Sequence, residues 1–210
     1  MARPASDPQR VFVNCPFDAR YKPLFDATIF AIHDLGFQAR HALVAQAPRA
    51  VRLMRIADEL ASCRYSIHDL SRVETRGQKR LPRFNMPFEA GIAYALHHFA
   101  HQHNEHHLLL LDAEPHRYQA SLSDAAGLDP GVHGDDPNQV IARVRAFLVR
   151  AGGRQGLPGA QHIWRRYQVF LGLLPATARE LRVTPRELRS WEYVNDLQSV
   201  VASYIETNPA

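Results

Sequence analysis

The segment RFNMPFEAGIAYAL, residues 83–96, contains a single carboxylate, Glu89. It lies between a Pro-Phe pair and a run of small residues that is typical of a helix. An acid in the first turn of a helix interacts favourably with the helix dipole, by about 0.3–1 kcal/mol. A carboxylate that faces a ligand can instead stabilise positive charge on a sugar ring or act as a nucleophile. Glu89 alone leaves both interpretations open, so the elements that position it must be considered.

Strands alternate with helices over the first three quarters of the chain. Apolar runs predict strands over 10–17, 38–44, 64–71 and 106–113, and helical spacing predicts helices over 21–37, 48–63, 86–100 and 136–151. This alternation favours an α/β, flavodoxin-like parallel sheet of four to five strands with helices on both faces. The expected strand order is 2-1-3-4-5.

A glycine-rich segment, residues 151–159, predicts a boundary between an α/β nucleotide-binding domain over 1–151 and a C-terminal helical extension over 158–207. The extension is predicted to form a helical hairpin. Its second helix is expected over 184–206, where Thr184, Pro185 and Glu187 form a capping box signature. The hairpin either packs on the sheet domain or forms a surface for a partner or a second copy.

The composition is that of a folded, mildly basic protein, with 46% hydrophobic residues and a net charge of +4. This charge suits phosphate-bearing ligands without selecting them. No membrane span or secretory leader is expected, and Cys15 and Cys63 form no spaced pattern, so a cytoplasmic location is predicted. Nucleic acid is an improbable partner because only the basic charge favours it.

Ligands of open parallel sheets bind beyond the carboxyl ends of the strands, where the winding reverses. With order 2-1-3-4-5, the loop over 14–18 would face the long loop over 68–89. One pocket would then hold a catalytic Glu89 and a set of ligand-binding residues: Asn14, Phe17, Asp18, Asp69, Ser71, Arg72, Asn85 and Phe88.

Two segments resemble TIR-like and nucleoside 2-deoxyribosyltransferase-like proteins, which are known from bacteria. HDLSR…RFNMPFEAGIAYAL is similar to the family segment that ends in Glu-x-Gly-x-Ala-x-Ala, with Glu89, Gly91, Ala93 and Ala95 matching and Asp69 as the strand-terminal acid. VFVNCPFD is similar to the family's first strand. The resemblance covers roughly residues 10–113.

The resemblance implies a nucleotide or nucleoside ligand and cleavage of an N-glycosidic bond, with Glu89 in the place of the catalytic glutamate. The base leaves most easily when it is already cationic, as in NAD⁺, so one carboxylate suffices. The segment PRFN stands where the transferases carry a second Asp, which favours an N-glycosyl hydrolase of the NAD⁺ nucleosidase type. A role in bacterial immunity or signalling is implied. NAD⁺ is then a substrate, and no cofactor or metal is expected.

Several of these features have structural alternatives. Asp69 can cap a turn instead of binding a ribose. Phe17 and Phe88 either sandwich a base or belong to the core. The arginines and lysine of loop 72–83 either cradle phosphates or are solvated. The histidines over 97–107 predict a solvated turn rather than a zinc site. The rival function is a non-catalytic nucleotide sensor that signals through the C-terminal helices, which are also expected to support a homo-oligomer.

Overall fold

A computed structural model describes residues 6–44, 49–73, 83–99, 105–120, 122–123 and 127–209. The chain forms two compact units. The first comprises residues 1–16 and 38–134, and the second comprises residues 17–37 and 135–210. The division into domains 1–151 and 158–207 stays a prediction.

The first unit contains a five-stranded, all-parallel sheet of order β2-β1-β3-β4-β5. The strands are β1 (Asp7–Asn14), β2 (Gln38–His41), β3 (Cys63–Asp69), β4 (His107–Asp112) and β5 (Gly131–Val132). With helices around the sheet and further C-terminal helices, the chain is an α/β protein of flavodoxin-like type, and the predicted strand order is confirmed. The segment 129–137 is rich in the turn-forming residues Asp, Gly and Pro, yet it contains β5 because Gly131 and Val132 pair with the end of β4.

Two helices of the first unit pack on this sheet. They are α2 (Arg49–Ser62), which contacts β1 and β3, and α3 (Asn85–Phe99), which contacts β1, β3 and β4. The two helices also contact each other. Short 3₁₀ helices span Ala42–Val44 and Arg117–Ala120. The sheet and these two helices contribute buried apolar residues that include Val11, Phe12, Leu60, Tyr65, Ile67, Ala93 and Leu111.

The second unit is helical. It consists of α1 (Lys22–Asp34), α4 (Pro137–Gly152), α5 (Ala160–Glu180), α6 (Pro185–Leu188) and α7 (Val194–Thr207). Helix α1 packs against α4, α5 and α7. The Phe30 ring lies 5.3 Å from the Tyr167 ring and 5.4 Å from the Phe170 ring, measured between centroids, so aromatic packing joins α1 to α5.

Helix termini in this unit follow their local sequence. Asp136 accepts a hydrogen bond from the Asn138 backbone N–H at the start of α4, and Thr184 and Glu187 form the reciprocal bonds of a capping box. The single helix predicted over 184–206 is wrong, because α6 ends at Leu188 and α7 begins at Val194. Between them, the Trp191 ring packs 4.9 Å from the Phe25 ring, a tertiary contact that the local pattern does not contain.

None of the helices in the described part of the chain is both long enough and apolar enough to cross a membrane.

Candidate active site

An open cavity of about 610 Å³ lies between α2 and α3 of the first unit. This volume is within the range of small-molecule sites, about 300–1,000 Å³. The described residues that line it come from one face of each helix and from the residue before α3: Arg52, Leu53, Ile56, Phe84, Asn85, Phe88 and Glu89. The structure therefore brings together three of the predicted site residues, Asn85, Phe88 and Glu89.

Glu89 is the carboxylate of this cavity. Its side chain is 8% exposed, and burial raises its pKa from 4.5 to about 7, while the positive charge of Arg52 acts in the opposite direction. The helix dipole does not explain its position, since Glu89 lies beyond the first turn of α3, where the dipole effect has largely decayed. At neutral pH the carboxyl is therefore poised between its protonated and ionised forms, as catalytic carboxyls often are.

Two phenylalanines form an apolar side of the cavity and are largely exposed. Phe84 is 68% exposed and Phe88 is 57% exposed. The backbone N–H of Phe88 donates to the Phe84 carbonyl at 2.9 Å, which keeps the two residues one helical turn apart. Exposed rings beside a cavity provide stacking surfaces for a planar ligand. Phe84 was missed from the sequence, although its spacing of four residues from Phe88 was a usable signal.

Arg52, Leu53 and Ile56 were also missed. They lie on α2, a helix that the sequence shows only as amphipathic, with basic residues on its polar side. Nothing in that pattern indicates which basic residue faces α3. The packing of α2 against α3 selects Arg52, which becomes the cationic partner of Glu89.

Asn14, the last residue of β1, contacts the first turn of α3, the helix that carries Glu89. Its side-chain amide donates to the Met86 carbonyl at 3.3 Å and lies 3.0 Å from His68 Nδ1. Burial, with the charge of His106 as a smaller cause, lowers the pKa of His68 to about 3, so its ring is neutral and Nδ1 accepts the second amide hydrogen. Asn14 thus joins β1 and β3 to the first turn of α3. Its contacts indicate positioning of the helix that carries Glu89.

Asp69 and Ser71 belong to a different polar network. Asp69 Oδ1 accepts from the Ser71 backbone N–H at 2.8 Å, and its Oδ2 lies 3.0 Å from His133 Nε2. Asp69 and His133 are each 1% exposed. These contacts agree with the turn-capping interpretation of Asp69, and its predicted role in ligand binding stays a prediction.

The same network extends along the carboxyl ends of β4 and β5. Arg117 donates to the Ser71 carbonyl at 2.5 Å and its Nε lies 3.5 Å from Asp112 Oδ1. Burial is the main cause that raises the pKa of Asp112, and the neighbouring charge of Asp69 adds to it, while Arg117 opposes both. This buried cluster joins the ends of three strands and was not foreseen from the sequence.

Phe17 and Asp18 belong to the second unit and have structural partners there. The Phe17 ring meets the Trp191 ring edge-on at 5.2 Å, and Asp18 Oδ1 accepts from the Arg20 and Tyr21 backbone N–H groups. These contacts explain both residues as parts of a packed turn before α1. Their predicted role in ligand binding stays a prediction.

The basic loop is only partly described. Arg72 is half-buried at the end of β3, and the Arg83 backbone N–H donates to the Val73 carbonyl at 2.6 Å. Residues 74–82, with Arg76, Lys79 and Arg80, lie outside the described residues. The phosphate-cradling interpretation of this loop therefore stays a prediction.

The histidine-rich segment is not uniformly solvated. His106 is 4% exposed, with Nε2 2.7 Å from Ser66 Oγ and Nδ1 3.0 Å from the Cys63 carbonyl. Burial lowers its pKa to about 4. His101 and His103 lie outside the described residues, and the described part contains no group of three His, Cys, Asp or Glu side chains that could hold a metal ion.

Comparison with protein-family models, curated proteins and solved structures finds no match to this chain.

Proposed function

We propose that the cavity between α2 and α3 binds a nucleotide and that Glu89 promotes hydrolysis of its N-glycosidic bond, with NAD⁺ as the leading substrate. The observation that carries the proposal is a nearly buried carboxyl with a pKa raised to about 7, facing a cavity that exposed aromatic rings line. The TIR-like pattern around Glu89 supports the same reaction.

The reaction needs one carboxylate and one water molecule. As the bond between C1′ and the base nitrogen breaks, the ribose gains oxocarbenium character, which the Glu89 carboxylate stabilises electrostatically or traps as a covalent ester. Water then supplies the hydroxyl at C1′ and releases a proton. The base departs with the electrons of the broken bond, so a cationic nicotinamide leaves as a neutral molecule.

The lining of the cavity favours a substrate with a cationic base. Among the described lining residues Glu89 is the one acid, whereas glycoside hydrolysis commonly uses a pair of carboxyl groups, one of them as a general acid. A base that is already cationic needs no protonation. Its positive charge also lowers the pKa of Glu89, so that binding itself generates the ionised form.

The remaining lining residues suit the rest of a nucleotide. Phe84 and Phe88 offer stacking surfaces for a base, and Arg52 offers a guanidinium for phosphate oxygens. Arg52 also keeps the Glu89 pKa from rising further.

The direct test measures free nicotinamide released from NAD⁺ by the purified full chain. Glu89→Gln is expected to lower kcat by at least about a hundredfold, the usual scale for an essential acid–base or electrostatic group. Glu114→Gln removes an exposed carboxyl on the loop after β4 and serves as the matched control. Equal rates for wild type and Glu89→Gln would remove Glu89 as the catalyst.

The pH profile adds a test of the chemical role. If the ionised carboxylate acts, kcat/KM rises with pH through about 7, because that parameter reports the pKa of the free enzyme. If Glu89 donates a proton as a general acid, kcat/KM falls over the same range.

A nucleotide sensor without turnover is the second candidate, and the absence of a second acid among the described lining residues favours it. Isothermal titration with NAD⁺ and with nucleosides separates the two functions. Binding without base release supports the sensor, and retained binding with lost release in Glu89→Gln supports the enzyme.

The proposal also includes a cytoplasmic location, a role in bacterial immunity or signalling, and self-association through the C-terminal helices. A 2-deoxyribosyltransferase is less favoured, since transfer to an acceptor base calls for the further acid that the sequence lacks near Glu89.

A further inference from the structure

Two buried polar side chains lie side by side at the carboxyl ends of β1 and β3. Asn14 and His68 are partners in the register of the two strands, and they are 2% and 0% exposed. With the order 2-1-3-4-5, the winding of the sheet reverses between these two strands. Asn14 Nδ2 lies 3.0 Å from His68 Nδ1, so a polar contact is buried at the point where the winding reverses.

The hydrogen bonds of this pair fix the orientation of the Asn14 amide and the tautomer of His68. The Met86 carbonyl can only accept, so the group that faces it at 3.3 Å is the amide nitrogen of Asn14. Because the same nitrogen faces His68 Nδ1, that ring atom accepts its second hydrogen. The proton of the neutral ring is therefore on Nε2, which has no hydrogen-bond partner among the described residues.

An imidazole at this position costs stability and supplies a hydrogen-bond acceptor. A buried N–H without a partner destabilises a fold, and an apolar side chain would avoid that cost. The acceptor Nδ1, however, suits one orientation of the Asn14 amide. If the amide turned over, its oxygen would face the lone pairs of both the Met86 carbonyl and His68 Nδ1. His68 therefore holds the amide donor of Asn14 towards α3.

The first two turns of α3 also make apolar contacts. Met86 and Ala90 belong to a buried cluster with residues of β4 and of the segment after β3. Apolar packing is non-directional, and a methionine side chain adapts to several positions, so these contacts hold α3 on the sheet without fixing its rotation. The hydrogen bond from Asn14 is directional, and it ends on Met86, three residues before Glu89.

We propose that His68 is a positioning residue for Glu89, because it orients the Asn14 amide that is bonded to the first turn of α3. The pair fixes where this turn lies relative to the sheet, and so how far the Glu89 carboxyl is withdrawn from water. Without the acceptor, the amide rotates and the turn shifts outward, which hydrates the carboxyl. The consequence for catalysis rests on the proposed function, whereas the consequence for the burial of Glu89 does not.

NMR titration of the Glu89 carboxyl carbon in the full chain tests the positioning without any substrate. The pKa is about 7 in the wild type, and His68→Leu, which removes the acceptor, is expected to lower it below about 6 because the carboxyl gains water. Asn14→Ala removes the amide itself and should lower the pKa in the same way. His68→Asn places a carbonyl oxygen where Nδ1 was and is expected to restore a value near that of the wild type.

Release of nicotinamide from NAD⁺ by the same proteins tests the link to the reaction. His68→Leu and Asn14→Ala are expected to lower kcat about tenfold to a hundredfold, since a displacement of about 1 Å can have an effect of this size. His68→Asn should recover most of the rate. His106→Leu is the matched control: it removes another buried imidazole, at the amino end of β4, and leaves both kcat and the Glu89 pKa unchanged.

Circular dichroism identifies the folded variants, and because His68→Leu and Asn14→Ala break the contact from its two sides, one folded variant decides. A Glu89 pKa that stays near 7 in that variant would overturn the inference, and so would a wild-type pKa near 4.5 or an equal fall in His106→Leu. A wild type that releases no nicotinamide, with the expected fall in pKa, removes the proposed reaction and supports the positioning. A lowered pKa with unchanged kcat would overturn the role of His68 in the reaction.

Discussion

Replacing Glu89 by Gln is expected to stabilise the protein at neutral and alkaline pH. Burial raises the pKa of Glu89 from 4.5 to about 7, so between these values the folded state binds more protons than the unfolded state. Stability therefore falls as pH rises through this window, and the cost of the ionised carboxyl is complete above pH 7. The shift corresponds to about 3 kcal/mol. Glutamine keeps the shape of the side chain and removes this cost.

The assay is urea unfolding of wild type and Glu89→Gln at a series of pH values from 4 to 8.5. The quantity of interest is the difference between the two free energies of unfolding, because effects of other titrating groups cancel in it. This difference is expected to be constant below pH 4.5, to grow in favour of Glu89→Gln through the window, and to level off above pH 7 at about 3 kcal/mol.

Glu187→Gln is a control for which the pH dependence of stability has the opposite sign to that of Glu89→Gln. Hydrogen bonds from the Thr184 N–H and hydroxyl lower the pKa of Glu187, so its contribution to stability is present above pH 4.5 and is lost as pH falls through its lowered value. A difference for Glu89→Gln that stays flat between pH 5 and 8 would refute the reasoning. It would mean that the carboxyl is well solvated and that the cavity does not hold the poised acid on which the proposed chemistry rests.

Three further predictions concern residues that the fold brings together. Arg52→Met is expected to raise the pKa of Glu89 further and so to move the midpoint of the pH profile of kcat/KM to higher pH. Arg52→Lys keeps the positive charge and should leave that midpoint nearly unchanged. Equal midpoints in wild type and both variants would exclude an effect of the Arg52 charge on the Glu89 pKa. Lys22→Met removes the ammonium 2.5 Å from the buried Asp26 carboxylate and leaves Asp26 with the longer contact to Arg189, 3.5 Å away, so urea unfolding should show a loss of about 3 kcal/mol, the lower end for a broken buried pair, and a loss below 1 kcal/mol would contradict this. Phe88→Ala is expected to weaken nucleotide binding by about 1–3 kcal/mol in isothermal titration, and Phe99→Ala, which removes an exposed ring at the far end of α3, should leave it unchanged.

The parallel sheet followed from the sequence because it depends on local pattern, and the order 2-1-3-4-5 was an expectation for a sheet of this size. Short apolar segments alternating with amphipathic ones require crossover connections, and those connections produce a parallel sheet. The caps at Asp136 and Thr184 were also predictable, since a cap involves neighbouring residues only. The two-residue strand β5 was not, because its pairing with β4 is a contact between distant segments.

The roles of the polar residues at the strand ends needed the tertiary structure. The sequence places Asp69 and Glu89 after the same strand and does not show which of the two side chains reaches an open cavity. In the fold, Asp69 is buried against His133 at the carboxyl end of the sheet, whereas Glu89 faces an open cavity. The difference arises because each side chain's surroundings are set by segments far away in the chain.

By itself, the sequence determined the α/β class and the helix caps, and it favoured the 2-1-3-4-5 order and the choice of Glu89 as the residue to examine. Only the packing of α2 against α3 decided that Arg52 and two exposed phenylalanines share a cavity with Glu89 and that its pKa rises to about 7. The physical reason is that desolvation and charge proximity depend on distances between side chains, and residues remote in sequence acquire those distances only when the chain folds.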